Sequence, residues 1–175
     1  MNSWIEATRG LFVFRRGPAD LPYAPAVLLA LLIAAVVLDA VAARVLTGLD
    51  GDPLLAVLNN AISLAFVHGL LRMWGKPERF VQTASALLLI RTALSLLTLL
   101  LLGGVMPLPQ QPEDLRPDQA LLMSLMFPIF IWYLGLRTHV LRQALDIPIA
   151  RALGLVFLIA AAEFFVALSL AQAFR

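Results

Sequence analysis

Three ionisable side chains interrupt stretches of this chain that are otherwise apolar. Arg91 lies at the midpoint of Phe80–Leu102, and Asp39 and Glu163 break two other apolar runs. A guanidinium in the middle of a bilayer-length run costs at least ~2.5 kcal/mol on the mildest insertion scale, so it calls for an internal partner. Asn59 and Asn60 add amide groups in a further run. Carboxylates and a guanidinium held together in a low dielectric support two kinds of chemistry: a proton relay or the recognition of an anion. They also support a plainer role, an ion pair that fixes which helices are neighbours, and this is the preferred expectation. Two acids against one arginine leave a charge of −1; burial favours a protonated carboxyl and an adjacent guanidinium an ionised one.

Other chemistry finds no footing in the sequence. The chain has no cysteine and two histidines far apart, and no metal-ligand spacing is present, so neither a metal nor another cofactor is expected. Nucleophile elbows, SxxK sequences, phosphate loops and dinucleotide fingerprints are also missing. Asp39 and Glu163 lack the local motifs of an intramembrane protease, so a catalytic role is the least favoured reading. Nothing points to nucleic acid.

The elements that must carry these residues follow from composition and hydropathy. Apolar residues make up 61% of the 175 and charged residues 14%, and the mean hydropathy is +0.90. Soluble domains are nearer half apolar and a quarter charged, so an integral membrane protein is indicated. The expected fold class is all-α: a polytopic, multi-pass membrane protein built as one five-transmembrane-helix bundle over residues 1–175. The spans are placed at about 24–46, 54–74, 79–102, 119–140 and 148–173, each near the ~20 residues needed to cross a ~30 Å hydrocarbon core. Residues 1–22 form an interfacial arm whose segment 2–16 reads as a short amphipathic helix lying at the membrane surface, with Trp4, Ile5, Thr8, Leu11 and Phe12 near one face. No cleavable leader is recognisable, so the first span is expected to be retained. Asp50-Gly51-Asp52-Pro53 reads as a turn, and Pro107–Pro117, with four of the eleven prolines, as an irregular loop.

Orientation follows from the basic residues. Of thirteen, nine fall on one side: Arg9, Arg15, Arg16, Arg72, Lys76, Arg79, Arg137, Arg142 and Arg151. Arg44, Arg116 and Arg175 fall on the other, and Arg91 is internal. The positive-inside rule then puts the N-terminus in the cytoplasm and the C-terminus outside, with the inner membrane as the expected location. Trp4, Tyr23, Trp74, Trp132 and Tyr133 lie toward the same inner interface. Counting ~1.5 Å per residue from the inner ends places Asp39, Arg91 and Glu163 at roughly 18–23 Å, with Asn59 and Asn60 at the same level. A single polar belt of Asp39, Asn59, Asn60, Arg91 and Glu163 is therefore expected. Small residues beside them, such as Ala35, Ala42 and Ser95, allow close helix approach. The inner basic and histidine side chains, Arg15, Arg16, His68, Arg72, Lys76, Arg79, Arg137, His139 and Arg142, are candidate contacts for lipid headgroups.

Two inner-loop stretches, GLLRMWGKPERF over residues 69–80 and YLGLRTHVLRQALDIPIARALG over 133–154, resemble the Yip superfamily of small membrane proteins. So does the layout of five spans with a cytoplasmic N-terminus. The similarity covers roughly residues 54–160. The acidic Gly-Pro motif of eukaryotic members is missing, so the resemblance implies a fold more than an activity. The expected function is a non-enzymatic scaffold or interaction partner of another membrane component, whose partners are the lipid bilayer and another membrane protein or a second copy of itself. The alternative is a small transporter or channel component that uses the Asp39, Arg91 and Glu163 cluster.

Overall fold

The computed structural model describes residues 2–47, 53–104 and 116–173. The turn expected at 50–52 and most of the proline-rich loop, 107–115, lie outside the described residues. The described chain is all-α: α1 (Asn2–Phe12), α2 (Pro25–Thr47), α3 (Pro53–Met73), α4 (Phe80–Leu102), α5 (Pro117–Leu145) and α6 (Ile149–Ala173), with short 3-10 turns at Pro18–Asp20 and Pro77–Arg79. Prolines open α2, α3 and α5, where their missing N–H has no intrahelical partner to lose. Helix α5 continues past 140, where the fourth span was expected to end. It ends at Asp146, whose left-handed backbone (φ 54°) stops the helix two residues before Pro148.

Helices α2, α3, α4 (with its leading 3-10 turn) and α5 are long and apolar enough to cross a membrane. Their outward surfaces agree with that composition: Leu29, Ile33, Val37 and Val41 form an exposed stripe at four-residue spacing along α2, and Phe127 and Phe130 stand exposed on α5. Contiguous exposed apolar surface of this kind marks a face that lipid or another protein covers.

Five helices close into a ring in which α2 packs on α4, α4 on α5, α5 on α6, α6 on α3 and α3 on α2, with α3 and α4 also touching across the middle. Two apolar clusters fill it. One joins Val67 and Leu71 of α3 to Leu141 and Ala144 of α5 and to Val156 and Ile159 of α6. The other joins Ala86 and Ile90 of α4 to Leu136 and Val140 of α5, and Ala7 and Leu11 of α1 complete it.

That second cluster shows what much of the arm's expected apolar face meets: Trp4, Leu11 and Phe12 pack toward α4 and α5. Ala7 and Leu11 are buried against α4 and α5, while Ile5 is exposed. The helix also ends at Phe12 rather than Arg16, because Phe14 adopts φ 59° and the Arg15 amide closes back on the Gly10 carbonyl at 2.8 Å. A left-handed phenylalanine costs roughly 1–2 kcal/mol. Its ring meets compensation on α5, packing edge-on against His139 with centroids 5.6 Å apart and reaching the open flank of Gly135. Phe12 stacks on Trp132 as well. The rest of the arm is tied down by polar groups. His139 Nε2 lies 3.0 Å from the Arg16 carbonyl and 2.9 Å from Gln143 Nε2, and Gln82 Nε2 donates to the Leu21 carbonyl at 2.7 Å.

Gly17 is where the arm comes closest to α5. A Cβ there would sit 1.5 Å from Gln143 Oε1, so a side chain at 17 must expel Gln143 from its contact with His139. Gly17→Ala should therefore lower stability by about 1 kcal/mol, the worth of one hydrogen bond, and speed proteolysis within residues 1–22. Adding Gln143→Ala should remove the clash, so that the double variant shows no further loss on thermal unfolding.

Candidate functional site

Asp39 meets three polar side chains. It stands on α2 between small neighbours and faces α4, where Arg91 Nη2 lies 2.7 Å from its Oδ2. Asn60 of α3, fully buried, donates its Nδ2 to the same oxygen at 2.9 Å and to the Ala56 carbonyl one turn back. Ser95 Oγ, one turn beyond Arg91, approaches Asp39 Oδ1 at 3.4 Å. The carboxylate thus gathers three helices. The Asp39 and Arg91 side chains retain 18% and 20% of their exposure, so the pair sits at the wall of the bundle and not at its dry centre. Asn59, its neighbour in sequence, is half-buried and stands outside this set.

Glu163 is not a partner of Arg91. Its Oε1 accepts from Arg137 Nη2 of α5 at 3.3 Å, with the two side chains 15% and 9% exposed. Arg137 also reaches the Tyr133 hydroxyl at 3.4 Å, and its guanidinium lies 5.6 Å from the centre of that ring. Such a cation–ring contact adds to the pairing when the cation is desolvated. The expected belt is therefore divided into two pairs, and the excess charge of −1 disappears: two acids meet two arginines. The residue overlooked as a partner is Arg137, assigned to the headgroups because the fourth span was expected to end near 140, whereas α5 continues to Leu145. Side chains lean toward the N-terminus of their own helix. On two antiparallel helices that lean makes Arg137 and Glu163 converge, closing a backbone depth difference of roughly 9 Å. A depth count by Cα position cannot see this.

The two pairs are neighbours. Arg91, Arg137, Tyr133 and Ser63 line one small internal void of about 10 Å3, close to the room that a single water occupies. The arrangement can hold charge, hydrogen-bond a water between two guanidinium groups, and fix helix positions.

Several other candidates for headgroup contact are occupied within the protein. Lys76 Nζ pairs with Asp146 and donates to the Leu145 carbonyl, and Arg79 Nη1 reaches Asp146 at 3.0 Å and the Gln143 and Ala144 carbonyls at 3.2 and 3.1 Å. These two cations cap the C-terminus of α5, where unpaired carbonyls and the helix dipole favour positive charge. The Asp146 carboxyl is held below its ordinary range by its hydrogen bonds from Lys76 first and Arg79 second. His139 holds the arm, and His68 packs edge-on against Phe80. Arg16 meets Glu6 at 3.6 Å on the exposed side of α1, next to an open depression lined by Arg9 and Arg15. Arg72 and Arg142 are exposed.

Fold and site together define a helical, membrane-compatible bundle cross-linked by largely shielded ion pairs. No protein-family model matches this chain, and no curated protein or solved structure matches it either.

Two outcomes are expected. Arg91→Leu leaves Asp39 charged and unpaired in an apolar wall and should lower stability by about 3 kcal/mol, whereas Asp39→Leu with Arg91→Leu should recover most of it. Thermal unfolding in detergent checks the pair. For Asp146, a carboxyl lowered in the folded state contributes stability that is full above its unfolded value near pH ~3.9 and is lost as pH falls through the lower folded value. Asp146→Asn should remove that acid-side slope and leave the neutral-pH baseline reduced.

Proposed function

We propose that this protein is a non-enzymatic scaffold of the inner membrane with Yip-like architecture, and that its ion pairs specify helix order and carry no reaction. The observation that supports this most is charge balance: each acid on an apolar helix has its own arginine, and the void that touches both arginines has room for about one water. A transport site needs a polar space for its solute and groups free to exchange partners. In this reading α6 is the fifth span, the N-terminal arm and the Lys76–Arg79–Asp146 lock face the cytoplasm, and the C-terminus lies outside. The basic distribution and the interfacial aromatic residues support that orientation. The loop stretches 69–80 and 133–154 support the Yip-like likeness. The partner is another membrane component or a second copy, held through the lipid-facing surface or the basic inner side.

The function is tested in proteoliposomes that report internal pH. The purified protein should pass protons no faster than empty vesicles do, and Glu163→Gln should change nothing. A flux above background that falls with Glu163→Gln or Arg137→Gln would replace this reading by the transporter alternative. The topology is tested by reporter fusions after residue 175, which should be active only outside the cytoplasm. Reporter activity in the cytoplasm would remove α6 from the spans.

A further inference from the structure

Between α3 and α6 the outer surface is grooved. Phe66, Gly69 and Met73 on one side face Leu155 and Leu158 on the other, and the trough holds about 540 Å3 between Ile62 and Trp74. A Cβ at Gly69 would point into this open space and meet no atom within 4 Å. Core packing therefore does not demand a glycine at that position.

The dimensions of the groove select its occupant. Ile62 to Trp74 spans roughly 18 Å along a helix, slightly more than half of a ~30 Å hydrocarbon core. A transmembrane helix would need a surface of the full thickness, whereas one acyl chain of one leaflet fits this length. The groove ends at the basic side of the bundle. Arg151 lies one turn before Leu155 and two before Leu158, on the same face of α6. Arg72 lies one turn past Gly69, on the Ala65 edge of the α3 face. Both are exposed, in contrast to Lys76 and Arg79, which Asp146 and the α5 carbonyls engage. An apolar channel one leaflet long that finishes at two exposed guanidinium groups and a tryptophan matches the parts of a lipid with a negative headgroup.

We infer that the α3–α6 groove is a binding site for an anionic phospholipid, with an acyl chain along Gly69 and Leu155 and its phosphate on Arg72 and Arg151. The site rests on the bundle sitting in a bilayer with these arginines at one interface, and it is independent of whether the protein is a scaffold.

Tryptophan quenching tests it in nanodiscs of phosphatidylcholine that contain a small share of lipid brominated near the top of the acyl chain. Two reporters are needed: one retaining only Trp74 (Trp4→Phe, Trp132→Phe) and one retaining only Trp132 (Trp4→Phe, Trp74→Phe). Brominated phosphatidylglycerol should quench Trp74 at a lower share than brominated phosphatidylcholine does, and quench Trp132 no better. Arg72→Gln or Arg151→Gln should each weaken the preference about fivefold. Gly69→Leu fills the groove without touching the core, favours the helix, and should abolish the preference with the fold intact. Equal quenching of Trp74 by both headgroups would overturn the site. Quenching of Trp132 but not of Trp74 would mean that protein covers the groove, and would overturn it too. Quenching of neither reporter would refute the bilayer placement itself, and the site with it.

Discussion

A charge on an apolar helix has few places to go, and the five-helix ring is arranged around that constraint. In lipid, apolar side chains gain little by meeting each other instead of acyl chains, so Leu- and Ala-rich helices have weak preferences among neighbours. Polar groups do have preferences. Asp39 and Arg91 tie α2 to α4, Asn60 adds α3 to the same carboxylate, and Glu163 with Arg137 ties α6 to α5. The contacts that remain, α4 with α5 and α3 with α6, are closed by the two apolar clusters. Polar and apolar closures thus share the ring, and the polar ones make the order of helices specific. The alternative orders would leave a carboxylate or a guanidinium facing hydrocarbon.

The constraint also explains how the polar groups are distributed inside the pairs. Arg91 is satisfied by a carboxylate on a parallel helix, and the amide of Asn60 arrives at the same oxygen. Asn60 Oδ1 has no hydrogen-bond partner among the described residues. A buried acceptor left unmade costs on the order of 1–3 kcal/mol, so the amide is spent on the charged group at the expense of its own carbonyl. That choice has a physical reason: a hydrogen bond to an ionised acceptor is roughly twice as strong as one between neutral groups.

Much of the architecture was legible in residue types and periodicity. The apolar runs that became α2 to α5 could be read because a bilayer-length stretch without charges has few other uses, whereas Pro117, read as the end of the irregular loop, opens α5 instead. Asp39, Asn60 and Arg91 were recognised as a buried polar group because they lie at one backbone level. Arg137 was missed because pairing is decided where the charges end and not where the backbone lies, and the lean of side chains on antiparallel helices shifts them by several ångströms. The arm was legible only in part for a related reason. An amphipathic pattern says that one face is buried, but not whether lipid or protein buries it; the small residues Ala7 and Gly17, against α4 and α5, were the signal for protein. Lys76 and Arg79 show the same limit, since a basic loop reads alike whether it meets phosphate or the C-terminus of a neighbouring helix.

Pairing has a consequence for the way such a bundle responds to a membrane potential. A single charge moved across a bilayer exchanges about 2.3 kcal/mol per 100 mV, which is why unpaired arginines make voltage sensors. Here each guanidinium travels with its carboxylate. A rigid displacement of either pair carries no net charge through the field, and an opening of the pair would have to expose both ions to hydrocarbon before the field could act on them. Desolvation opposes that by several kcal/mol per ion, more than a potential of ordinary size supplies. With both pairs inside a bilayer, as proposed, they would be held against the force that drives a charged sensor, and the balance that fixes helix order would keep that order when the membrane is energised.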